Sequence, residues 1–585
     1  VTKAADTPAG YLALTLNVHL PYVVNHGTWP HGLEWLHEAA AETYLPLLRV
    51  LANLERDAIP ANFNLNLSPV LLEQLTHPHF RAEFPKYLAR KIAAAREDEA
   101  YFLQSGDSRL VEIARFWNAF YTAAQNDFNA LDGDIVARFR RFNDAGQIEI
   151  LTCAATHGYL PLLGTDESVR AQLRTAVRTH VRHFGKPPRG LWSPECGYRP
   201  AGLWSYPVLD DGATQPHPAF RRIGIEQAFA ECGLEYFVVD THLVEDAGRS
   251  LYQPYFVDGP YDKSRATTVF PRDPRTGLQV WSSDIGYPGD PNYLDFHKKR
   301  FPGGHRYWQV TGADVVSSDK FVYNPQDAAN RVQMHAAHFA QLVFKTLQPS
   351  FNGRTPPLLC APFDADLFGH WWFEGTQWLE AVVRAVHAQN ATAVNGNGHA
   401  DGPTDNRTIA TITCGEYLNR HSRAAFISMH EGSWGTDGNH QVWMNPDTAW
   451  TYAHIYPAER YLSELCSSDK WRNSELARRI VQQLCRELLL LESSDWQSLI
   501  TTGSARDYAE KRFHAHNDYF LDLKSIFQAV ESTGTLTDRQ ANRLAEIERT
   551  DNIFPDLDPD LWAEAPATLA RSPQPSSATV SPHGR

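Results

Sequence analysis

The sequence predicts an α/β protein, an incomplete (β/α)7 barrel with a helical insertion, followed by an α-helical C-terminal domain. Three observations carry that prediction. Seven short apolar runs alternate with helical patterns, as the strands of a parallel sheet do. Six of the seven end at a His, Asp or Glu, which is how an enzyme barrel furnishes its carboxyl-end face. Helical periodicity then dominates residues 447–550. Seven strands rather than eight make the barrel incomplete.

The first run, YLALTLNVH at 11–19, reads as a buried strand ending in His19. That residue is either a site histidine or a hydrogen-bonded one beneath a loop. A loop and helix start with Trp29 and Trp35 follow, then a helical pattern to Arg56 and a second strand at 62–67, NFNLNL. From Ser68 to Asn143 the pattern is helical and too long for a simple crossover, so 101–145 is expected to be an inserted helical subdomain. Its aromatic stripe, Phe116, Trp117, Phe120 and Tyr121, has helical spacing and reads as core.

The third run, IEILTCAA at 148–155, ends at Thr156, His157 and Gly158, and a helix is expected over 168–184. The fourth, GLWS, leads into PECGYRP. Pro194 lacks an N–H and biases Ser193 toward an extended conformation, so the strand turns sharply and sets Glu195 among Trp192, Tyr198 and Arg199. A carboxylate held beside aromatics at a strand end is a catalytic candidate, and the alternative is a surface Glu after a turn. After a helix at EQAFAECG, YFVVDTH (236–242) reads as a strand ending at Asp240 and His242. VWSSDIGYPG (280–289) reads as the next, with Trp281 and Asp284 at its end. A helix at 325–347 precedes LLCAPFDADLFGHWW (358–372), which ends at Asp364. The barrel is thus assigned to 8–100 and 146–405.

The Gly/Asn-rich stretch at 390–408 reads as a mobile connector. Residues 406–555 are expected to form the helical domain and to contribute to the active-site groove through a polar loop bearing His430, Trp434, His440 and Trp443. The Pro/Ser-rich tail, 556–585, is expected to be disordered.

Composition narrows the function. Hydrophobic residues are 43% and charged residues 21%, ordinary for a globular protein, whereas 12% aromatics is high and suits stacking on sugar rings. A net charge of −14 without a basic run argues against nucleic acid. The seven cysteines are scattered without a C-x-x-C pair, which argues for free thiols in a reducing compartment and against a disulfide framework or a thiolate zinc site. No apolar run of 18 residues occurs and VTKAADTPAG has no signal-peptide core, so the cytoplasm is the expected location and no membrane partner is expected.

Glu195 and Asp364 stand out as two carboxylates in Gly- and Trp-containing loops after apolar runs. Across a barrel mouth such a pair can serve as nucleophile and acid/base of a retaining glycosidase. No Walker or Rossmann glycine pattern competes with that reading. A metal-dependent hydrolase is the rival, with Asp364, Asp366, His370, His19 and His157 as ligands, although H-E-x-x-H is missing. Asp366 equally suits a solvated loop acid or a helix cap. A sugar-binding protein without catalysis leaves the acids at strand ends unexplained.

HLPYV at 19–23, THGYLP at 156–161, WSPECGYRP at 192–200, YFVVDTH at 236–242 and PFDADLFGHWW at 362–372 resemble the five motifs of glycoside hydrolase family 57, and most closely its 1,4-α-glucan branching enzymes. AETYLPLL (41–48), VFPRDPRTGLQVWSSDIGYPG (269–289) and HEGSWGTDGN (430–439) extend the resemblance over residues 10–550. It implies a retaining enzyme on a (β/α)7 barrel, with Glu195 as nucleophile and Asp364 as general acid/base. It further implies His19, His157 and Asp240 at the donor-sugar subsite, Trp281, Trp434 and Trp443 along the glucan groove, and Trp29 and Trp35 near its entrance. The implied substrate is an α-1,4-glucan such as amylose or glycogen, cleaved and transferred to a 6-hydroxyl without cofactor or metal; an α-amylase or a 4-α-glucanotransferase of the same family is the alternative. The loop with Tyr252 and Tyr255 and the 430–443 loop are expected to form a lid that restricts water. The pattern departs at Asn17, where the first motif reads H-x-H-L-P; Asn hydrogen-bonds but does not titrate. The 390–408 connector is also longer than the family pattern.

Overall fold

The computed structural model describes residues 8–563, apart from 262, 283–284, 313, 352, 396–406 and 422–424. Seven parallel strands follow one another around a barrel: β1 Gly10–Val18, β2 Phe63–Leu67, β3 Ile148–Leu151, β4 Gly190–Leu191, β5 Tyr236–Val239, β6 Thr268–Pro271 and β7 Leu358–Asp364. Two ladders, β7-β1-β2-β3 and β4-β5-β6, carry the pairing. Single parallel bridges, Thr152 to Leu191 and Arg272 to Cys360, close them into a ring.

The period of two along each strand sorts side chains into the barrel interior or its outer wall. Tyr11 and Ala13 of β1, Tyr236 and Val238 of β5, and Leu358 and Cys360 of β7 pack together inside. Leu12, Leu14, Leu16 and Val18 face the surrounding helices. Toward the carboxyl ends the interior turns polar: Thr15 pairs with Asn64, and Asn17 sits between Asn66 and Asp364. That gradient aims hydrogen-bonding groups at the mouth. A short strand, Ile409–Thr411, pairs with Gly10–Leu12 of β1, below the point where β2 begins.

The sixth strand lies twelve residues earlier than the sequence suggests. TVFP forms β6, whereas Pro274–Trp281 is a helix whose start is fixed by the Asp273 carboxylate accepting from the Thr276 N–H and by a proline at the first helical position. Val280 and Trp281, read as strand, are its last turn; Asp284 lies outside the described residues.

Helices Pro78–Ser105, Ser108–Ala130 and Ile135–Asp144 occupy the segment between β2 and β3. Trp117 and Tyr121 are buried there with Phe116 and Phe120 packed beside them, so the stripe is core. Helix Gly375–Asn395 runs into the segment expected to be a connector, and the rest of that connector up to 406 lies outside the described residues. Helices Ala449–Ser467, Glu475–Leu491, Ser494–Thr502, Arg506–Thr533 and Asp538–Thr550 follow and share one apolar core with the barrel's outer wall. Residues 556–563 are not a disordered tail: Pro559–Trp562 is a turn of 3-10 helix, and Trp562 is fully buried. Residues from 564 on lie outside the described residues. Among the described residues no helix is long and apolar enough to cross a membrane.

Candidate active site

The barrel mouth holds a cavity of about 480 Å³ lined by Asn17, His19, Trp35, His157, Glu195, Trp281, Asp364, Asp366, Trp371 and Asp495, among others. Eight residues named from the sequence thus meet in one place: Glu195, Asp364, His19, His157, Asn17, Trp35, Trp281 and Asp366.

Glu195 follows β4 in a single 3-10 turn, Pro194–Cys196, and has φ 60° and ψ 24°. A non-glycine residue in the left-handed region is strained, and such strain concentrates where a side chain must be aimed. The turn is held from two sides. Ser193 Oγ donates to the Gly197 carbonyl at 2.7 Å, and the Trp434 N–H donates to the Glu195 carbonyl at 3.1 Å. The carboxylate accepts from Trp434 Nε1 at 2.7 Å on Oε2 and from Ser494 Oγ at 3.5 Å on Oε1.

Asp364 ends β7, directly across the ladder from Asn17. Asn66 Nδ2 donates to Asn17 Oδ1 at 2.6 Å, which turns the Asn17 amide so that its Nδ2 donates to Asp364 Oδ1 at 2.9 Å. Asn17 thereby has a defined task, orienting a carboxylate without a titrating group of its own.

Above these acids His19 and His157 stack at 3.9 Å. His19 Nδ1 pairs with Ser68 Oγ at 2.9 Å and Nε2 with Asp495 at 3.1 Å; His157 Nδ1 pairs with Ser494 Oγ at 2.9 Å. Asp495 and Ser494 open a helix of the C-terminal region, so that region builds part of the catalytic wall. Neither was singled out from the sequence. The only cue is an acid after an apolar run in LLLLESSDW, which also reads as an ordinary helix start.

Burial, and then the nearby Asp364, push Glu195 up to about 8. Burial likewise pushes Asp364 and Asp366 up to about 6 each. Near neutral pH the Glu195–Asp364 pair therefore holds one proton. His157 is driven well below the usual histidine range by burial and by His19. Burial opposes the charge on His19, but Asp495, Glu195 and Asp366 outweigh it and raise that group. The two stacked rings thus shift in opposite directions, His19 up and His157 down.

Other expected site residues lie elsewhere. Asp240 directly follows β5 and is paired with Arg272 at 3.3 Å and His242 at 3.2 Å, outside the cavity lining. Trp434 meets the site through its Nε1 bond to Glu195 Oε2 and stands edge-on to Trp281 at 6.4 Å. Trp443 is not a groove platform: it is 2% exposed and stacked on Tyr159 at 4.2 Å. Tyr252 does not line the cavity either: its hydroxyl donates to Asp273 Oδ1 at 3.3 Å and its carbonyl accepts from the N–H of Leu358, the first residue of β7. Tyr255 begins a strand, Tyr255–Val257, antiparallel to β6, so this part of the expected lid is tied into a sheet. Trp29 is 74% exposed and lines nothing in the cavity. Of the proposed metal ligands, His370 is buried against Glu42 at 3.0 Å and does not line the cavity. His19, His157 and Asp495 instead bring ligand-capable atoms within 4.8 Å of one another.

Residues 13–430 match the glycosyl hydrolase family 57 model. The chain belongs to glycoside hydrolase family 57. Residues 454–562 match the 1,4-alpha-glucan branching enzyme C-terminal domain. A 1,4-alpha-glucan branching enzyme of Thermococcus kodakarensis is 38% identical over 93% of this chain and 77% of its own length. Among solved family 57 structures, the branching enzyme of Pyrococcus horikoshii superposes with TM-score 0.85 at 38% identity, covering 95% of this chain and 97% of the other. The alpha-amylase AmyC of Thermotoga maritima superposes with TM-score 0.78 at 27% identity, covering 95% and 99%.

Proposed function

We infer that this protein is a 1,4-α-glucan branching enzyme that works by retaining double displacement. One observation carries the choice within family 57: the helices that match the branching-enzyme C-terminal domain supply Asp495 to the wall of the catalytic cavity and Ser494 to the Glu195 carboxylate, 3.5 Å away. Substrate is an α-1,4-glucan such as amylose or glycogen. The seven cysteines, all free, fit a reducing cytoplasm.

In this reading a Glu195 oxygen attacks the anomeric carbon while Asp364 protonates the departing glycosidic oxygen. The glucan chain stays on Glu195 as an ester. A 6-hydroxyl of another glucan then attacks the same carbon, its proton passes to Asp364, and the ester bond breaks back to the carboxylate. In the free protein Glu195 is the stronger proton holder of the pair. A nucleophile must be ionised, so glucan binding has to move that proton to Asp364, whose new neighbour, the glycosidic oxygen, accepts a hydrogen bond only from the protonated form. Trp434 fixes Oε2 at 2.7 Å and so supports the ionised Glu195.

Linkage analysis tests the assignment. Amylose incubated with the protein and then treated with an α-1,6-specific debranching enzyme is expected to release new short chains. Products containing only linear sugars or free reducing ends, with no α-1,6 linkage, would show an amylase or a 4-α-glucanotransferase instead.

A further inference from the structure

The loop after Asp364 carries an aromatic platform into the catalytic cavity. Trp371 lines the cavity, is 48% exposed, and has one face stacked on Phe296 at 4.4 Å and 28°. A tryptophan half in water and half on another ring keeps apolar area that a sugar ring can cover.

The loop is stiff before anything binds. The Trp371 N–H donates to the Asp366 carbonyl at 3.1 Å and the Gly369 N–H to the Trp372 carbonyl at 2.7 Å. Arg306 donates to the His370 carbonyl at 2.9 Å and to Glu42 Oε2 at 3.0 Å, which ties the loop to the helical segment between β1 and β2. Gly369 has φ 108°, and a Cβ there would lie 1.9 Å from the Glu42 carbonyl oxygen, so the loop can pass only with glycine. A platform already ordered gives up little entropy on binding.

The two carboxylates have different aromatic company. Glu195 has Trp434 bonded to it, with Trp281 edge-on behind. Trp371 belongs to the loop of Asp364, the group that handles the proton of the leaving and then of the incoming sugar. We propose that Trp371, backed by Phe296, is the stacking platform for the acceptor glucosyl unit and sets how often the glycosyl-enzyme is resolved by sugar rather than by water. The inference rests on the branching reading above and on the roles given to Glu195 and Asp364. Either acceptor uses the same step: its O–H oxygen bonds to the anomeric carbon, the ester bond to Glu195 breaks with its electrons returning to the carboxylate, and the proton goes to Asp364. Water needs no platform for that step, whereas a sugar hydroxyl gains effective concentration only when its ring is held.

The test compares wild type, Trp371→Ala and Trp371→Phe on amylose, measuring α-1,6 linkages after debranching and new reducing ends in the same samples. In the Ala variant the ratio of branches to reducing ends is expected to fall about tenfold, the size of one aromatic stack. The Phe variant, which keeps a ring on Phe296 and guards against an Ala variant that fails to fold, is expected to retain most of the ratio. An unchanged ratio, or branches and reducing ends falling together, would overturn the platform. A wild type that makes no α-1,6 linkages would overturn the branching reading, and the platform with it.

Discussion

Two clusters in this protein use the same residue types, and their aspartate-bonded histidines, His19 and His26, shift in opposite directions. His19, His157 and Asp495 stand at the catalytic cavity; His26, His516 and Asp551 are packed between the loop after β1 and the C-terminal helices. In both, the ligand-capable atoms lie within 4.8 Å of one another. The difference is the fourth partner. In the second cluster Arg512 Nη2 donates to His516 Nε2 at 2.9 Å, and an arginine can only donate, so the His516 proton sits on Nδ1 and faces Glu487 Oε2 at 2.9 Å. Burial and Arg512 together hold His26 below the usual range, and burial drives His516 well below it. At the cavity Glu195 and Asp366 take the place of the arginine, and His19 is raised. Residue type alone does not separate a site from a structural junction; the sign of the neighbouring charge and an open face do.

The largest effect comes from the acid on the open side. Glu195→Gln is expected to lower branching by roughly 10⁴-fold or more, as loss of a nucleophile does. Its stability should move the other way. A carboxyl raised to about 8 in the folded protein favours folding while it is protonated and loses that contribution as pH rises from the ordinary carboxylate range through 8. The gain in Tm of Glu195→Gln over wild type should therefore be larger at pH 8.5 than at pH 5, about the values that bracket that window. A variant with near-normal activity, or with an equal Tm shift at both pH values, would contradict the assignment.

Matched substitutions then separate the two clusters. Asp551→Asn removes a fully buried carboxylate from between His26 and His516 and is expected to cost about 3–5 kcal/mol of stability, while the folded fraction keeps its kcat. Asp495→Asn should do the reverse, lowering kcat roughly 10²-fold with a small change in Tm, because His19 keeps a hydrogen-bond partner but loses the charge beside it. Denaturant midpoints and single-turnover rates measured on both variants check the pair. Equal behaviour of the two would erase the distinction drawn between them.

The barrel was legible because strands buried on both faces read as apolar runs, and Glu195 and Asp364 were legible because an acid after such a run is conspicuous. What depends on distant chain was not. Trp434 and Trp443 stand in one loop with the same local pattern, yet one bonds Glu195 and the other is sealed against Tyr159. Asp495 looks like a helix-start acid until the fold brings it to His19. Trp371 is visible in a motif, but its stack on Phe296 is a contact across separate loops. The sixth strand, TVFP, is no shorter than β3 or β5, but the run with Trp281 and Asp284 after it carries the more conspicuous residues, and Val280 and Trp281 of that run end a capped helix.

The pH profile sharpens the open site further. With Asp364 at about 6 and Glu195 at about 8, the pair carries two protons below that range, which leaves no nucleophile, and none above it, which leaves no acid. A bell-shaped kcat/KM with limbs near those values is expected, falling about tenfold per pH unit beyond each. In Asp364→Asn, assayed with a substrate whose leaving group needs no protonation, one limb should remain. It should lie below 8, because the charge that helped to raise Glu195 is gone. A remaining limb at or above the wild-type position would mean that Asp364 does not act on Glu195.

The smallest expected effect is that of chelation, and the two clusters make it informative. Both have the composition of a divalent-ion site, so a metal reading predicts loss of activity from the cavity cluster and loss of stability from the buried one. The charges argue against both. The carboxylates around His19 raise it, which favours the protonated imidazole over the neutral form a metal needs. His516 has its Nδ1 proton fixed by the arginine on Nε2, so the nitrogen that faces Asp551 is a donor. EDTA treatment followed by desalting is expected to leave the branching rate and Tm unchanged. A rate that falls and is restored by a divalent ion would assign the ion to the cavity, and a fallen Tm with an intact rate would assign it to the buried cluster and break the tautomer argument there.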